Sequence, residues 1–331
     1  MRARILSILA VAATAIAVAA CGGSSSGGGN GLKLVAYSTP KEAYADLIKA
    51  FDKTPQGKGA KFSESYGASG DQSRAVDQGL SADIVAFSLE PDLTRLVKSG
   101  IVDASWNANP HKGMVTDSVV VLAVRKGNPK GIKTFDDLAR PGVKVITPNP
   151  FTSGGARWNV MAIYGSQIAQ GKSETQATDF LGSVFKNVVV QDKAARDSLQ
   201  TFAGGKGDVL VAYENEAITA QQKGIPLDYV IPDQTILIEN PIAVTKRASD
   251  PQKAKAFVDF VTGSAGQKIF ASHGYRPVDK GLVDKKRFPT PKQLFDIKKF
   301  GGWSTVSDKF FDPQKGVMAG IEQKLGVTTG G

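Results

Sequence analysis

Residues 145–159 read VITPNPFTSGGARWN and run from an apolar segment through a proline-containing turn into a predicted helix. Pro148 and Pro150 fix their φ angles and disfavour helix in the residues that precede them. Ser153 stands before two glycines and an apolar pattern with helical spacing, so we predict that it is the N-cap of this helix. Unpaired N–H groups and the positive end of the helix dipole make such a helix start a candidate anion site, and glycines allow close approach to the backbone.

Similar strand-to-helix junctions occur elsewhere in the chain. The strand predicted for residues 32–36 is followed by Ser38, and the strand predicted for residues 62–66 by Ser69. Strands alternating with helices are typical of an α/β fold, here with a mostly parallel central sheet flanked by helices, and ligands bind such sheets beyond the carboxyl ends of the strands. The sequence therefore predicts that these serines lie at the same edge of the fold as Ser153.

The N-terminus has the features of an export signal. Arg2 and Arg4 precede an apolar run that is too short for a convincing membrane span, and we predict a signal peptide over residues 1–20. Small residues before Cys21 resemble a bacterial lipobox, so we expect cleavage to leave Cys21 as an acylated N-terminus. Residues 21–31 are rich in Gly and Ser and are predicted to be a flexible tether. The protein is then expected on the extracytoplasmic face of the cell membrane, anchored by lipid.

Length and composition restrict the remaining possibilities. The 331 residues suffice for two lobes, which we predict over residues 32–118 with 245–331 and over residues 119–244, joined by two crossing segments. The formal net charge of +10 indicates attraction to anions, but the basic residues are scattered, so we expect no nucleic acid partner. Cys21 is the only cysteine, which excludes disulfides within the chain.

Motifs for catalysis are weak in this sequence. The chain has two histidines, and the residues around Ser69 break the G-x-S-x-G pattern of esterases at its last position. Neither metal-ligand spacings nor phosphate-binding loops occur, and we expect no cofactor and no metal. An enzyme is disfavoured; a secreted serine hydrolase that uses Ser69 or Ser153, and a tethered surface-interaction protein, stay open as alternatives.

Several segments together resemble the bacterial sulfate and thiosulfate binding proteins of ABC importers. The most specific is SGGARWN at residues 153–159, preceded by ITPNP; the others are LAVRKGNPK at 122–130, GDVL at 207–210 with ENEA at 214–217, and YRP at 275–277. The resemblance covers nearly the whole mature chain. It implies a bilobed fold of the type II periplasmic binding protein kind that delivers sulfate to ABC permease subunits in the membrane, and we expect the receptor to be a monomer.

The resemblance also implies a set of ligand-binding residues. In that family sulfate is held between the lobes by neutral donors at helix N-termini, without a neutralising cation. Carried over by position, the donors are the Ser69 hydroxyl together with backbone and side-chain groups of the following residues: Ser38, Ser153, Gly154, Gly155 and Ala195. Tyr213 stands where the family commonly has tryptophan, Ser38 where aspartate is usual, and Asp71 where lysine is usual. Thiosulfate, molybdate or phosphate are the alternative ligands.

Overall fold

The computed structural model describes residues 31–326. The predicted signal peptide, the lipidated Cys21, almost all of the predicted tether and residues 327–331 lie outside this part of the chain. The strands are β1 (Leu32–Tyr37), β2 (Phe62–Gly67), β3 (Ile84–Ala86), β4 (Met114–Arg125), β5 (Val145–Ile146), β6 (Val188–Val190), β7 (Val209–Tyr213), β8 (Leu227–Val230), β9 (Gln234–Val244) and β10 (Gln293–Phe295).

The helices alternate with these strands over most of the chain. They are α1 (Lys41–Asp52), α2 (Ser69–Asp77), α3 (Glu90–Lys98), α4 (Gly154–Ala169), α5 (Glu174–Lys186), α6 (Ala195–Ala203), α7 (Glu214–Gln222), α8 (Pro251–Thr262), α9 (Ser264–Ser272), α10 (Gly302–Phe311) and α11 (Val317–Lys324). Short 3-10 helices cover Phe135–Ala139, Lys280–Leu282 and Ile297–Phe300. The alternation confirms the predicted α/β class.

The strands pair in the order β2-β1-β3-β9-β4-β7-β5-β6, with β10 on β9 and β8 on β4. Pairing is parallel among β1, β2 and β3 and among β5, β6 and β7, whereas β4 and β9 pair with each other and with β3 and β7 in the antiparallel sense. The long strands β4 and β9 therefore join two groups of parallel strands. They contain the two segments that the sequence predicted to cross between lobes, residues 117–124 and 241–244.

Apolar packing follows the same two groups of strands. One cluster lies around β1, β3, α1, α8 and α9, and another around β4, β5, β7, α4 and α5. The second cluster also contains Trp303, Phe310 and Ile321 from α10 and α11. Residues of the C-terminal part thus pack with α4 and α5, although the predicted boundary groups residues 245–331 with the first lobe. The division into lobes stays a prediction.

Helix α4 forms as predicted from the sequence. Ser153 is its N-cap, and the Ser153 hydroxyl oxygen accepts a hydrogen bond of 3.4 Å from the N–H of Ala156. The helix is apolar on nearly all sides, and Trp158, Met161 and Tyr164 are buried. A helix that is buried all round fixes the position of its first turn, because nothing along its length can move into solvent without exposing apolar area.

Candidate functional site

A small cavity lies beyond the carboxyl ends of the parallel strands, and we call it the central cavity. The space between its lining atoms, including the part open to solvent, amounts to about 210 Å³. Its lining residues come from the strand-to-helix junctions on both sides of β4 and β9. They are Tyr37, Ser38, Thr39, Gly67, Ala68, Ser69, Ser88, Ser153, Gly155, Ala195 and Tyr213. Six of the seven residues predicted for ligand binding are in this set.

Backbone N–H groups are the main hydrogen-bond donors of the central cavity. Within residues 31–326, six lining residues outside the strands have a backbone N–H without a hydrogen-bond acceptor: Ser38, Thr39, Ala68, Ser69, Gly155 and Ala195. Three of them lie in the first turns of α2, α4 and α6, Ala68 is the N-cap of α2, and the other two precede α1. First-turn N–H groups have no partner inside their own helix, so they remain available to a ligand with acceptor atoms.

Charged side chains are absent from the lining residues of the central cavity. Charged groups stand one layer further out. The carboxylate of Asp92 is buried and accepts a hydrogen bond of 2.6 Å from the Ser69 hydroxyl, and Arg196 donates to the carbonyl oxygen of Ser38 at 3.4 Å. A ligand in the cavity would therefore meet neutral dipoles first.

The Ser69 hydroxyl, which the resemblance implied as a donor to the ligand, makes two hydrogen bonds within the protein. It donates to Asp92, and its oxygen accepts a hydrogen bond of 3.0 Å from the N–H of Ser88. The hydroxyl hydrogen is thus engaged within the protein, and the backbone N–H is the group of Ser69 that is left for a ligand. At Ser153, by contrast, the oxygen accepts the helix cap and the hydroxyl hydrogen is left over.

Gly154 is the predicted residue that does not line the cavity, and a side chain at this position is excluded on steric grounds. A Cβ atom there would lie 2.8 Å from both Cβ and Oγ of Ser88 and 2.9 Å from Cγ of Leu89. These distances are too short for a side chain, so Gly154 lets α4 approach the loop after β3. At Gly155 a Cβ atom would meet Ala195 and Tyr213 at 3.4 and 3.6 Å, among the residues of the cavity itself.

Ser88 and Tyr213 form one side of the central cavity. Their hydroxyl oxygens are 2.6 Å apart, and both residues are almost completely buried. Sequence analysis missed Ser88, which lies between β3 and α3. A polar residue directly after a buried strand of a parallel sheet is a signal that could have identified it.

Comparison with known proteins identifies the family of the chain. A model described as bacterial extracellular solute-binding protein matches residues 32–276. The chain belongs to this family.

Individual solute-binding proteins are similar over most of their length. The chain is 42% identical over 316 residues to the sulfate-binding protein of Synechococcus elongatus, covering 90% of each, and 38% identical over 307 residues to that of Synechocystis sp., covering 89% of this chain and 87% of the other. The solved structure of the sulfate-binding protein SubI from Mycobacterium tuberculosis H37Rv has 42% identity and a TM-score of 0.83, covering 85% of this chain and 99% of that one. These similarities confirm the resemblance stated from the sequence.

A larger cavity with charged walls adjoins the central cavity of this solute-binding protein, and we call it the outer cavity. Thr39 belongs to both. Glu42 from α1 pairs there with Arg196 from α6 and with Lys223 at the end of α7. The hydrogen bond from Arg196 lowers the pKa of Glu42 to about 2. Glu216 also lines this cavity, and burial raises its pKa to about 7 while its carboxylate accepts a hydrogen bond from the N–H of Tyr213.

His273 and Asp71 both lie at helix ends and form ion pairs or hydrogen bonds within the protein. His273 is the C-cap of α9, and its Nε2 is 3.0 Å from Oδ2 of Asp46. Asp71 lies in the first turn of α2 and pairs with Arg74 and Lys193. Within residues 31–326, no group of three or more His, Cys, Asp or Glu side chains is arranged to hold a metal ion, and no helix is long and apolar enough to cross a membrane.

Proposed function

We propose that this chain is the extracytoplasmic receptor of a sulfate importer, and that it binds sulfate in the central cavity and delivers it to the permease subunits of an ABC transporter. The observation that carries the proposal is the set of six free backbone N–H groups around a cavity whose lining residues are all neutral. The names of the relatives, which are sulfate-binding proteins, support the same ligand.

The free energy of binding comes from many dipoles instead of one countercharge. An isolated dianion loses tens of kcal/mol of hydration when it is buried, so a single helix end cannot hold it. Charge-assisted hydrogen bonds contribute about 1.5–3 kcal/mol each, and helix N-termini add a favourable potential of the same sign. Several such groups converging on a closed cavity offset the lost hydration.

The ligand-binding residues follow from this arrangement. We propose that backbone N–H groups bind sulfate at the start of each of four helices, that the Ser153 hydroxyl adds a donor, and that Tyr213 closes the cavity. The full proposed set is Ser38, Ser69, Ser153, Gly154, Gly155, Ala195 and Tyr213. Its members come from both sides of β4 and β9, so a bridging anion stabilises the closed arrangement of two lobes over the open one.

The chemistry of the lining residues favours a fully deprotonated oxyanion. Hydrogen phosphate carries a proton that needs an acceptor, and the lining residues of the central cavity include no carboxylate. Asp71, which could have served as this acceptor, pairs with Arg74 and Lys193 instead. Sulfate has only acceptor oxygens at neutral pH and matches a cavity of donors. Every proposed contact with sulfate is a hydrogen bond, and binding breaks no covalent bond. We therefore propose that the protein acts as a receptor and not as an enzyme.

The rest of the proposal concerns attachment to the cell. Export by the signal peptide and acylation of Cys21 would tether a monomeric receptor by a flexible segment beside the permease. Expression in a bacterial host with radiolabelled fatty acid tests this part, since the label should appear in the parent protein and be absent from a Cys21→Ala variant. Label on both proteins, or on neither, would contradict the lipid anchor.

Calorimetric titration of protein stripped of ligand tests the ligand itself. We expect sulfate to bind with an affinity that stays constant between pH 6 and 8, because sulfate does not titrate there. At about 100 times its Kd, sulfate should raise the free energy of unfolding by about 2.7 kcal/mol. Tighter binding of phosphate, thiosulfate or molybdate than of sulfate would overturn the assignment of the ligand.

A double variant tests the site. Ser69→Ala together with Ser153→Ala removes one hydroxyl that positions the turn and one that is free to donate, and we expect the affinity for sulfate to fall by orders of magnitude. Ser173→Ala, which removes the N-cap of α5 outside the cavity, serves as the control and should keep the parent affinity. An affinity of the double variant close to the parent value would count against this site.

A further inference from the structure

The position of Ser88 is fixed by hydrogen bonds from several directions. Its N–H donates to the Ser69 hydroxyl at 3.0 Å, and its carbonyl oxygen accepts from the indole of Trp158 at 2.9 Å and from the side-chain amide of Asn240 at 3.0 Å. Only about 1% of the residue is exposed. The hydroxyl of Ser88 is therefore held at one place on the wall of the central cavity.

This place lies between two helix N-termini. Ser88 bonds to Ser69 at the start of α2, and its Cβ and Oγ pack against Gly154 at the start of α4. An anion held by the free N–H groups of both helices would lie next to the Ser88 hydroxyl. A group in such a position either donates a hydrogen bond to the anion or opposes it with a lone pair.

A count of hydroxyl hydrogens decides between these two roles. Ser88 and Tyr213 together have two hydroxyl hydrogens, and the 2.6 Å contact between their oxygens uses one of them. Within residues 31–326, neither hydroxyl has another acceptor: the side chain of Asn240, which also neighbours the phenol, donates its amide hydrogen to the carbonyl oxygen of Ser88. One hydrogen of the pair is thus left over. The phenol is the more acidic partner, and burial raises its pKa well above the ordinary value, so it stays protonated and able to donate.

We propose that Ser88 is a further ligand-binding residue: Tyr213 donates its hydroxyl hydrogen to Oγ of Ser88, and Ser88 donates its own to the bound oxyanion. This inference rests on the proposed function, because it assigns a donor within the same cavity. Tyr213 then acts on the ligand through Ser88. The pair gives the anion one more charge-assisted hydrogen bond, made without a charged residue and oriented by four fixed contacts.

Single and double variants test whether Ser88 donates to the anion directly and Tyr213 acts only through Ser88. Ser88→Ala keeps the Cβ that packs on Gly154 and removes only the hydroxyl; we expect it to weaken sulfate binding about 10- to 100-fold, as the loss of a charge-assisted bond does. Tyr213→Phe should weaken binding less than tenfold. The double variant should match Ser88→Ala, because Tyr213 has no separate bond to the ligand. Calorimetry measures all three affinities.

A matched control separates this role from a structural one. Ser166→Ala removes another buried hydroxyl, which donates to the carbonyl oxygen of Ile163 within α4, and should leave the affinity unchanged. The ligand-free Ser88→Ala protein should keep the fluorescence of Trp158, since the carbonyl oxygen that accepts from the indole is still present. Binding within twofold of the parent value in Ser88→Ala would overturn the proposal, as would a larger loss in Tyr213→Phe.

The parent protein is titrated first, so that the two proposals fail separately. If the parent binds another tetrahedral oxyanion more tightly than sulfate, the proposed function is wrong about the ligand, and the same variants titrated with that anion still decide the role of Ser88. If the parent binds no tetrahedral oxyanion, both proposals are overturned.

Discussion

The central and outer cavities are neighbours that differ in how they use charge. Ala195 lines the central cavity and Arg196, the next residue of α6, lines the outer one. The first turn of α6 thus supplies an unpaired N–H group, from Ala195, to the central cavity and a guanidinium group, from Arg196, to the outer cavity. In the outer cavity Glu42 forms ion pairs with both Arg196 and Lys223, whereas the lining residues of the central cavity are all neutral.

This difference shows where a fixed charge is useful and where it is harmful. Partly exposed ion pairs contribute little free energy but disfavour wrong arrangements, and solvent screens them. A lysine or arginine in the closed central cavity would attract any anion and would lose its hydration when no ligand was bound. Fixed N–H groups carry no net charge and therefore lose less hydration free energy in an empty cavity. Their geometry also selects the shape of the ligand. Four changes test this contrast.

The largest effect is expected when a negative charge enters the central cavity. In Ser153→Asp the new residue is still a good N-cap, so α4 should keep its start. Repulsion between unit charges is roughly 4 kcal/mol at about 4 Å near a protein surface, and a dianion doubles it. We expect sulfate affinity to fall by more than about 1,000-fold. Ser173→Asp, the same change at the exposed N-cap of α5, is the control. Tenfold weaker binding or less in Ser153→Asp would contradict a neutral, closed site.

A methyl group should fill the cavity without harming the fold. Gly155→Ala would place Cβ at 3.4 Å or more from its neighbours, which are ordinary contacts, and alanine suits a helix better than glycine does. We expect the free energy of unfolding to stay equal or rise by up to about 1 kcal/mol while sulfate affinity falls about 100-fold. Gly182→Ala in α5, where the nearest atom is 4.0 Å away, should show the same stability without loss of affinity. Parent affinity in Gly155→Ala would place the ligand elsewhere.

The buried carboxylate between the two cavities should make stability depend on pH. Burial raises the pKa of Glu216 to about 7, from an ordinary value near 4.5, so the folded protein retains a proton that the unfolded chain has lost in this window. Stability should therefore fall as pH rises from 4.5 to 7. Glu216→Gln removes this titration and should be more stable than the parent by on the order of 2 kcal/mol at pH 8, but not at pH 4. Urea unfolding at both pH values measures it; equal differences would refute the assignment.

The smallest effect is expected in the outer cavity, and its sign is opposite. Arg196 lowers the pKa of Glu42 to about 2, so the ion pair stabilises the fold above pH 4.5 and is lost as pH falls through about 2. Glu42→Gln should lower the free energy of unfolding by no more than about 1 kcal/mol at pH 7, because the pairs are partly exposed. Sulfate affinity should change less than tenfold. A larger loss of affinity would mean that the outer charges act on the ligand.

Much of the fold was predictable because it depends on local patterns. The proline-rich turn, the N-cap at Ser153 and the apolar helix behind it were all predicted from residues 145–159 and are confirmed. By contrast, β10 and α10 were missed, since residues 279–331 have a weak periodicity and take their structure from packing on α4, α5 and β9.

The sequence by itself determined which turns carry free N–H groups, because a cap residue, glycines and an apolar helical pattern follow one another along the chain. Only the tertiary structure decided which hydroxyl is left for a ligand. Ser69 bonds to Asp92, 23 residues away, and Ser88 meets Tyr213, 125 residues away. A hydroxyl both donates and accepts, so its role depends on the nearest partner in space, whereas the direction of a first-turn N–H is set by its own helix.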